Sequence, residues 1–353
     1  MRTAPRLIIL TAVFVCCLAG ACPAAEPGHR TEALLLGLWS SAELAGSDTD
    51  RAIGAVGVPD ASTPALAHDA DLPARPPAVP KTMQGAIRRV SLPKGRKLVA
   101  VTFDLCERAN NVAGYNNQII NLLRAQNAQA TFFAGGKWMR SHPEAAMQLM
   151  ADPRFELGSH TWTHGNLALM TRAEVDAQMR LTEVQHANLR AELGRRAAAK
   201  GLGREFARVP EALRLMRLPY GRSSELALNT LAEMGYLVIQ WDVEGERDED
   251  KLCADAVAKN ALARVRPGSI ILLHANAVPQ LSYEVLGLLL PALRKGGYEL
   301  VTVGELLRRG APQAVRQGYF TIPGDNLRYD AIFPGKGTLK PDPARPFVSA
   351  PVP

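Results

Sequence analysis

Short apolar strand patterns alternate with helical patterns through the middle of this 353-residue chain. The strands are rich in β-branched and apolar residues, and amphipathic or apolar helical segments separate them. Repeated units of this kind predict a mainly parallel sheet covered by helices. About seven such units predict an α/β fold built as a distorted (β/α) barrel, not an open sheet. The predicted strands are Lys97–Phe103, Ala130–Ala134, Phe155–Gly158, Leu213–Leu218, Tyr236–Trp241, Ser269–Leu273 and Glu299–Val303.

The flanking segments differ from this middle region in composition. Residues 1–21 have a basic start, an apolar run and small residues, as in a secretory signal peptide. Residues 22–96 are rich in Ala, Pro, Asp and Gly and are predicted to be a leader or linker, with one helix at Thr31–Leu44. The predicted domain is 97–310, and a Pro/Gly-rich tail follows at 311–353.

These features predict an exported protein, periplasmic or secreted, without an integral membrane span in the mature chain. Cys22 follows a segment that resembles a lipoprotein box, which leaves lipid anchoring open. Cys106 and Cys253 are the two cysteines in the predicted domain. Two cysteines do not form a disulfide framework, although a single bridge between them is a further alternative.

The formal net charge of the full chain is +7. This balance fits an acidic polymer or an envelope surface, but ordinary solubility explains it as well. No block of Lys and Arg with interleaved aromatic residues occurs, so nucleic acid is not a predicted partner. Oligomeric state is not predicted.

Polar side chains follow the carboxyl ends of several predicted strands. In parallel barrels these positions meet at one face, where catalytic residues lie. Each residue alone has an ordinary structural interpretation, but their shared placement predicts a site. The candidates are Asp104, Glu107, His160, His164, Arg217, Tyr220, Asp242 and His274.

His160 and His164 are four residues apart, a spacing that lets two imidazoles bind one metal ion. A carboxylate from Asp104 or Glu107 would complete a site with open coordination positions, as in catalytic metal centres. His274 is a candidate acid for a leaving amine. Arg217 is placed to orient a carboxylate, and the turn at Tyr220 to offer backbone N–H groups to an oxyanion.

This set of motifs, in this order, resembles the NodB-homology polysaccharide deacetylases, carbohydrate esterase family four. The resemblance covers about Lys97 to Leu307 and implies a divalent metal, commonly zinc, in a deacetylase of N-acetylglucosamine polymers. The matching segments are Thr102-Phe103-Asp104, Ala130-Thr131-Phe132-Phe133, His160-Thr161-Trp162-Thr163-His164, Arg217-Leu218-Pro219-Tyr220-Gly221, Trp241-Asp242 and Leu272-Leu273-His274.

The resemblance also implies individual roles. Asp104 would be the general base, held by Arg217, and His160 and His164 would be metal ligands. Tyr220 would give its backbone N–H to the oxyanion, and His274 would be the general acid. Asp242 or Asp248 would orient His274.

Two departures from the family pattern stand out. Leu105 replaces the second Asp, normally a metal ligand, so we expect Glu107 to bind the metal, or Asp104 to bind it with Glu107 as the base. Cys106 lies in the altered loop as a packing residue, a bridge partner or a soft metal ligand. The segment Glu246-Arg247-Asp248 lacks the Trp that often follows the Trp-Asp strand end, which leaves the partner of His274 open.

The predicted function is metal-dependent removal of N-acetyl groups from an amino-sugar polysaccharide such as peptidoglycan, poly-GlcNAc or chitin. One alternative is hydrolysis of O-acetyl esters on a glycan such as xylan. Another is a catalytically impaired glycan-binding protein of the envelope, for which Leu105 is the main argument. The joint presence of the histidines and Arg217 favours an enzyme, since a scaffold has no need of them.

Overall fold

The computed structural model describes residues 32–55, 60–68, 70–277, 281–334 and 337. The predicted signal peptide, Cys22 and residues 341–353 of the predicted tail lie outside this part and stay predictions. Among the described residues, no helix is long and apolar enough to cross a membrane.

The described residues form twelve strands and twelve α-helices, which are numbered here in chain order. The strands are β1 Gly54–Ala55, β2 Ala86–Ser91, β3 Leu98–Leu105, β4 Asn111–Val112, β5 Ala130–Ala134, β6 Phe155–Ser159, β7 Leu215–Met216, β8 Leu237–Ile239, β9 Val243–Glu244, β10 Ile270–His274, β11 Glu299–Leu300 and β12 Ala311–Val315. The helices are α1 Ala33–Leu38, α2 Ser41–Ala45, α3 Asn117–Ala125, α4 Gly136–Ser141, α5 Pro143–Ala151, α6 Arg172–Ala199, α7 Gly203–Phe206, α8 Glu225–Glu233, α9 Ala254–Leu262, α10 Ser282–Lys295, α11 Val303–Arg308 and α12 Tyr329–Ile332.

The main sheet is curled and mostly parallel. Its order is β12-β2-β8-β7-β6-β5-β3-β10-β9, with β11 also paired to β3. Only the β12–β2 pair is antiparallel among the described strands of this sheet. The sheet curls far enough that the N–H of Val90 in β2 donates to the carbonyl of Gly268 before β10, at 3.0 Å. The predicted α/β, barrel-like fold class is confirmed.

Alternation along β3 separates an outer core from the barrel interior. Val99, Val101, Phe103 and Leu105 pack in the large core beneath the helices. Leu98 and Ala100 belong to the inner core. Successive strand residues point to opposite faces, so Asp104 continues the inner row of β3.

The sheet is larger than the predicted domain of 97–310. β2 lies within the segment predicted as leader or linker, and β12 lies within the predicted tail. Ala86, Ile87 and Val90 of β2 are fully buried. The strand was missed because Ala86–Ser91 contains two arginines, and only its neighbours in the fold bury its apolar side chains.

The sequence predicts a long amphipathic helix at Thr171–Glu192, capped by Thr171, and this segment forms α6. Thr171 is the N-cap, and its side chain accepts a hydrogen bond from the backbone N–H of Glu174. The Glu174 carboxylate accepts in return from the N–H of Thr171, which completes a capping box. The predicted cap is therefore confirmed, and the helix extends past the predicted end at Glu192 to Ala199.

Burial of His186 on α6 should make folding stability depend on pH. Burial, with a smaller contribution from Arg190, lowers the pKa of His186 to about 4. In the unfolded chain a histidine titrates near pH ~6.5, so the unfolded state binds more protons between these values. Stability is therefore complete above pH ~6.5 and falls as the pH drops toward 4, by about 3 kcal/mol from this group.

Urea unfolding at a series of pH values would measure this loss. His186→Gln should flatten the profile between pH 7 and pH 4 relative to the unsubstituted protein. A variant with an unchanged pH dependence would contradict the assignment.

Candidate active site

Two neighbouring strands bring Asp104 and His274 side by side at the mouth of the barrel. Asp104 of β3 is in register with His274 of β10, and it is also in register with Phe133 of β5. Leu272 of β10 belongs to the inner core, so His274, two residues later, points to the same side. The site therefore lies at the carboxyl ends of parallel strands, as the sequence predicts.

The carboxylate of Asp104 lies between Arg217 and His160. A terminal nitrogen of Arg217 donates to Oδ1 at 2.9 Å, and Nε2 of His160 lies 3.6 Å from Oδ2. Arg217 is fully buried, and its guanidinium also donates to the carbonyls of Ile239 and Gln240. Its guanidinium carbon lies 4.1 Å from the centre of the Phe133 ring. Arg217 therefore fixes the orientation of Asp104.

A tight turn after β6 brings the two imidazoles together. Thr161 and His164 have φ values of 66° and 56°, in the left-handed region that residues other than glycine rarely adopt. The ring centres of His160 and His164 are 4.7 Å apart. Strained backbone of this kind persists where the surrounding structure holds it and is concentrated at functional sites.

The tautomer of His160 follows from its surroundings. Its Nδ1 lies 2.9 Å from the carbonyl oxygen of Arg217, so Nδ1 carries the proton and donates. Nε2 of His160 and Nδ1 of His164 are buried and have no hydrogen-bond partner in the described part of the chain. Buried nitrogens without partners are costly, which points to a bound species between the rings.

Cys106 is the third group beside these rings. Ligand atoms of Cys106, His160 and His164 all lie within 4.8 Å of one another, and so do those of Asp104, Cys106 and His274. The backbone N–H of Cys106 donates to Oδ1 of Asn276 at 2.7 Å, which fixes the loop after β3. Burial alone would raise the pKa of the thiol, but His164 and His160 outweigh it and lower the pKa well below its usual value.

Glu246 orients His274. One oxygen of its carboxylate lies 2.7 Å from Nδ1 of His274, and the other accepts the backbone N–H of the same residue at 2.7 Å. Burial alone would lower the pKa of His274, but Glu246 and then Cys106 outweigh it and raise the pKa well above its usual value. Glu246 therefore fixes the orientation of the His274 ring and favours its protonated form.

The structure corrects the predicted partner of His274. The Asp242 carboxylate instead accepts from the hydroxyl of Ser269 and the backbone N–H of Ile270, both at 2.9 Å. Asp248 pairs with Arg247 and Lys251. Both aspartates are bonded or paired to nearby groups, and Glu246 is the carboxylate that contacts the His274 ring.

The structure also corrects the predicted metal role of Glu107. This residue is fully buried, and its carboxylate accepts from Nζ of Lys137 at 2.6 Å, from the hydroxyl of Ser141 and from the backbone N–H of Ala113. The buried ammonium of Lys137 on α4 attracts Glu107 away from the imidazoles. Glu107 therefore stabilises the loop and is absent from both groups around Cys106.

Glu107→Gln should consequently destabilise the fold without altering the site directly. Removing one partner of a buried ion pair leaves the other charge uncompensated and costs about 3–5 kcal/mol. Chemical unfolding should show this loss. The double variant Glu107→Gln/Lys137→Met should lose less than the sum of the two single variants. Simple additivity would contradict a direct pairing.

Tyr220 packs against the imidazole pair. Its ring centre lies 4.4 Å from that of His164, and the ring of Phe333 stacks on its other side at 4.1 Å. Tyr220 has φ 58° within the short turn Pro219–Gly221, and Asn326 donates to its carbonyl. The predicted turn therefore lies at the site, and residues 326–333 hold it there.

Several known proteins resemble this chain in sequence. A family model described as polysaccharide deacetylase matches residues 91–239. A chitooligosaccharide deacetylase of Sinorhizobium fredii is 32% identical over 186 residues, covering 52% of this chain and 75% of the relative. This chain belongs to the polysaccharide deacetylase family. The family predicted from the motifs is thereby confirmed.

Two further proteins are similar to this member of the polysaccharide deacetylase family. A peptidoglycan-N-acetylglucosamine deacetylase of Bacillus cereus is 28% identical over 218 residues, covering 61% of this chain and 70% of the relative. A solved peptidoglycan N-acetylglucosamine deacetylase, in complex with 4-naphthalen-1-yl-N-oxidanyl-benzamide, has a TM-score of 0.49 and 26% identity over 64% of this chain and 94% of that chain. The curated relatives carry names of carbon–nitrogen hydrolases, the enzyme class that the sequence predicts.

The sequence of this deacetylase family member predicts most of the side chains that meet at the site. Asp104, His160, His164, Arg217, Tyr220 and His274 are brought together, whereas Glu107 and Asp242 are not. Sequence reasoning missed Glu246 and Asn276 as partners. It left Cys106 open, although its position two residues after Asp104 was a signal that both face the same side.

Proposed function

We propose that this chain hydrolyses N-acetyl groups of an amino-sugar polysaccharide, with a divalent cation held by His160 and His164. The observation that carries the proposal is the position of Asp104, fixed by Arg217 at 2.9 Å and facing Nε2 of His160 at 3.6 Å. A carboxylate restrained by Arg217 and facing an imidazole nitrogen that makes no hydrogen bond in the described chain suits a general base beside a cation. The names of the relatives, chitooligosaccharide and peptidoglycan-N-acetylglucosamine deacetylases, support an N-acetylated amino sugar.

The residues present fit a cation. Nε2 of His160 and Nδ1 of His164 are buried without partners in the described chain, and the hydrogen bond from Nδ1 of His160 leaves its Nε2 free to bind. A bound divalent cation would polarise the acetyl carbonyl and favour ionisation of water, and we propose Zn²⁺ for this role.

Asp104 is proposed to accept a proton from the attacking water. Arg217 keeps the carboxylate oriented, since its buried guanidinium donates directly to Oδ1. As the water oxygen bonds to the acetyl carbon, the backbone N–H of Tyr220 is proposed to donate to the developing oxyanion. The resulting tetrahedral species carries a negative charge on that oxygen, and the fixed N–H dipole is proposed to stabilise it.

His274 is proposed to complete the reaction. Its Nδ1 is bonded to Glu246, so Nε2 is the nitrogen that can deliver a proton to the substrate. Protonation of the departing amide nitrogen breaks its bond to carbon and releases acetate and a free amine. Asp104 and His274 are in register on adjacent strands, and we propose that the reacting amide lies between their side chains.

A deacetylation assay tests the proposal. Acetate release would be measured with chitin oligomers, peptidoglycan and poly-GlcNAc, and with acetylated xylan as the competing ester substrate. We expect release from at least one amino-sugar substrate, loss of release on chelation, and recovery on adding Zn²⁺. Release from xylan alone would replace this proposal with an esterase, and no release from any substrate after metal loading would contradict an enzyme.

A further inference from the structure

We propose that the thiolate of Cys106 is the third protein ligand of this cation, in the role that a carboxylate was expected to fill. This inference rests on the proposed function for the presence of the cation. It assigns the ligand from the arrangement of Cys106, His160 and His164.

Strand alternation explains why the thiol, and not the residue before it, reaches the site. Leu105 is fully buried in the outer core beneath the helices. Asp104 precedes it on the inner face, and Cys106 returns to that face two residues later. A ligand at position 105 would have to leave the outer core, whereas one at position 106 already lies beside the imidazoles.

The distances favour Cys106 over either carboxylate. Its sulfur belongs to one group with both imidazoles, all ligand atoms lying within 4.8 Å of one another. Glu107 is bonded to Lys137 and Ser141. Asp104 is held by Arg217, and its group within the same distance contains Cys106 and His274.

The two imidazoles supply an independent observation that a ligand is bound here. His160 and His164 are only 1% and 9% exposed, and each has a buried ring nitrogen without a hydrogen-bond partner in the described chain. A cation shared with the sulfur would satisfy both nitrogens at once. The Cys106 backbone is also fixed, because Asn276 accepts its N–H and donates in turn to the carbonyl of Gly114.

A set of two imidazoles and one thiolate has chemical consequences. Three protein ligands leave coordination positions open, as in catalytic zinc sites. Thiolate selects softer cations such as Zn²⁺ over Mg²⁺ or Mn²⁺. Binding replaces the S–H bond by a sulfur–metal bond and releases one proton to solvent. Asp104 then stays available for proton transfer.

Cobalt substitution of the full-length protein tests this ligand directly. Co²⁺ bound to a thiolate gives an intense near-ultraviolet charge-transfer band, which imidazole and carboxylate ligands do not give. We expect the band in the unsubstituted protein and in Cys253→Ser, the matched control at an exposed cysteine that is the N-cap of α9. Serine is a preferred N-cap, so this control should fold normally.

Cys106→Ser should lose the band and bind metal more weakly by more than about tenfold, because even outer partners of metal ligands are worth about 10–100-fold in affinity. Cys106→Asp should recover metal content without the band, which separates loss of a ligand from loss of the fold. A cobalt-loaded protein without a thiolate band, or a Cys106→Ser variant that keeps it, would overturn the inference.

The two proposals fail differently. If the band depends on Cys106 but no substrate releases acetate, the ligand assignment stands and the proposed function fails. If metal-dependent acetate release occurs without the band, the function stands and Cys106 has another role, such as a thiol near His274.

Discussion

Asp104→Asn should lower kcat for acetate release by about 10³–10⁴-fold, the upper part of the range for a general acid or base. The amide cannot accept the proton that the attacking water loses. Its carbonyl oxygen can still accept the hydrogen bond from Arg217, which the carboxylate accepts at 2.9 Å. The substitution therefore removes the base while keeping the geometry around it. Steady-state kinetics with the best substrate of the deacetylation assay would measure the loss.

Metal content and thermal unfolding are the controls for this variant. Because His160, His164 and Cys106 are unchanged, bound metal should stay near that of the unsubstituted protein. A fall in kcat with full metal content isolates the role in proton transfer. Activity within about tenfold of the original, below the usual contribution of a base, would exclude Asp104 from that role.

His274→Gln should lower kcat by about 10²–10⁴-fold, because the amine would leave without a proton donor. Glu246→Gln should give a smaller loss, since the imidazole remains but loses its ionic partner 2.7 Å from Nδ1. The Gln amide has the same shape as Glu246 and can still accept a hydrogen bond. The loss in kcat of Glu246→Gln therefore measures mainly the contribution of the negative charge. Both variants would be measured by acetate release at saturating substrate, together with metal content.

Asp242→Asn is the matched control for Glu246. Asp242 was the predicted partner of His274, but its carboxylate bonds to Ser269 and Ile270. The Asp242→Asn variant should therefore retain most of the original rate of acetate release. An Asp242→Asn variant as impaired as Glu246→Gln, at equal stability, would mean that the predicted partner and not the observed one tunes the acid.

The strand ends explain why much of this site could be predicted from the sequence. A polar residue that interrupts an apolar, β-branched run marks where a parallel strand reaches the mouth of a barrel. Asp104 and His274 both follow such runs, and the structure places them in register. The proximity of His160 and His164 could also be predicted, because a turn of four residues brings two rings together without contacts from distant parts of the chain.

Partner choice could not be predicted in this way. Glu107 follows Asp104 closely in sequence, yet a lysine thirty residues later on α4 takes its carboxylate. Glu246 bonds to His274, twenty-eight residues later, although the family resemblance implies Asp242 or Asp248 as the partner. Which side chains pair depends on the curl of the sheet and on which buried charges come together in the fold. The periodicity of apolar residues along the sequence carries no information on either.

The position of β3 between β10 and β5 has a practical consequence for truncated versions of this protein. A fragment limited to the segment 91–239 would lack β10 and most of β2, leaving one side of β3 as a bare row of backbone donors and acceptors. Such a fragment should self-associate through that row, so expression trials are better begun upstream of residue 86 and carried past residue 315.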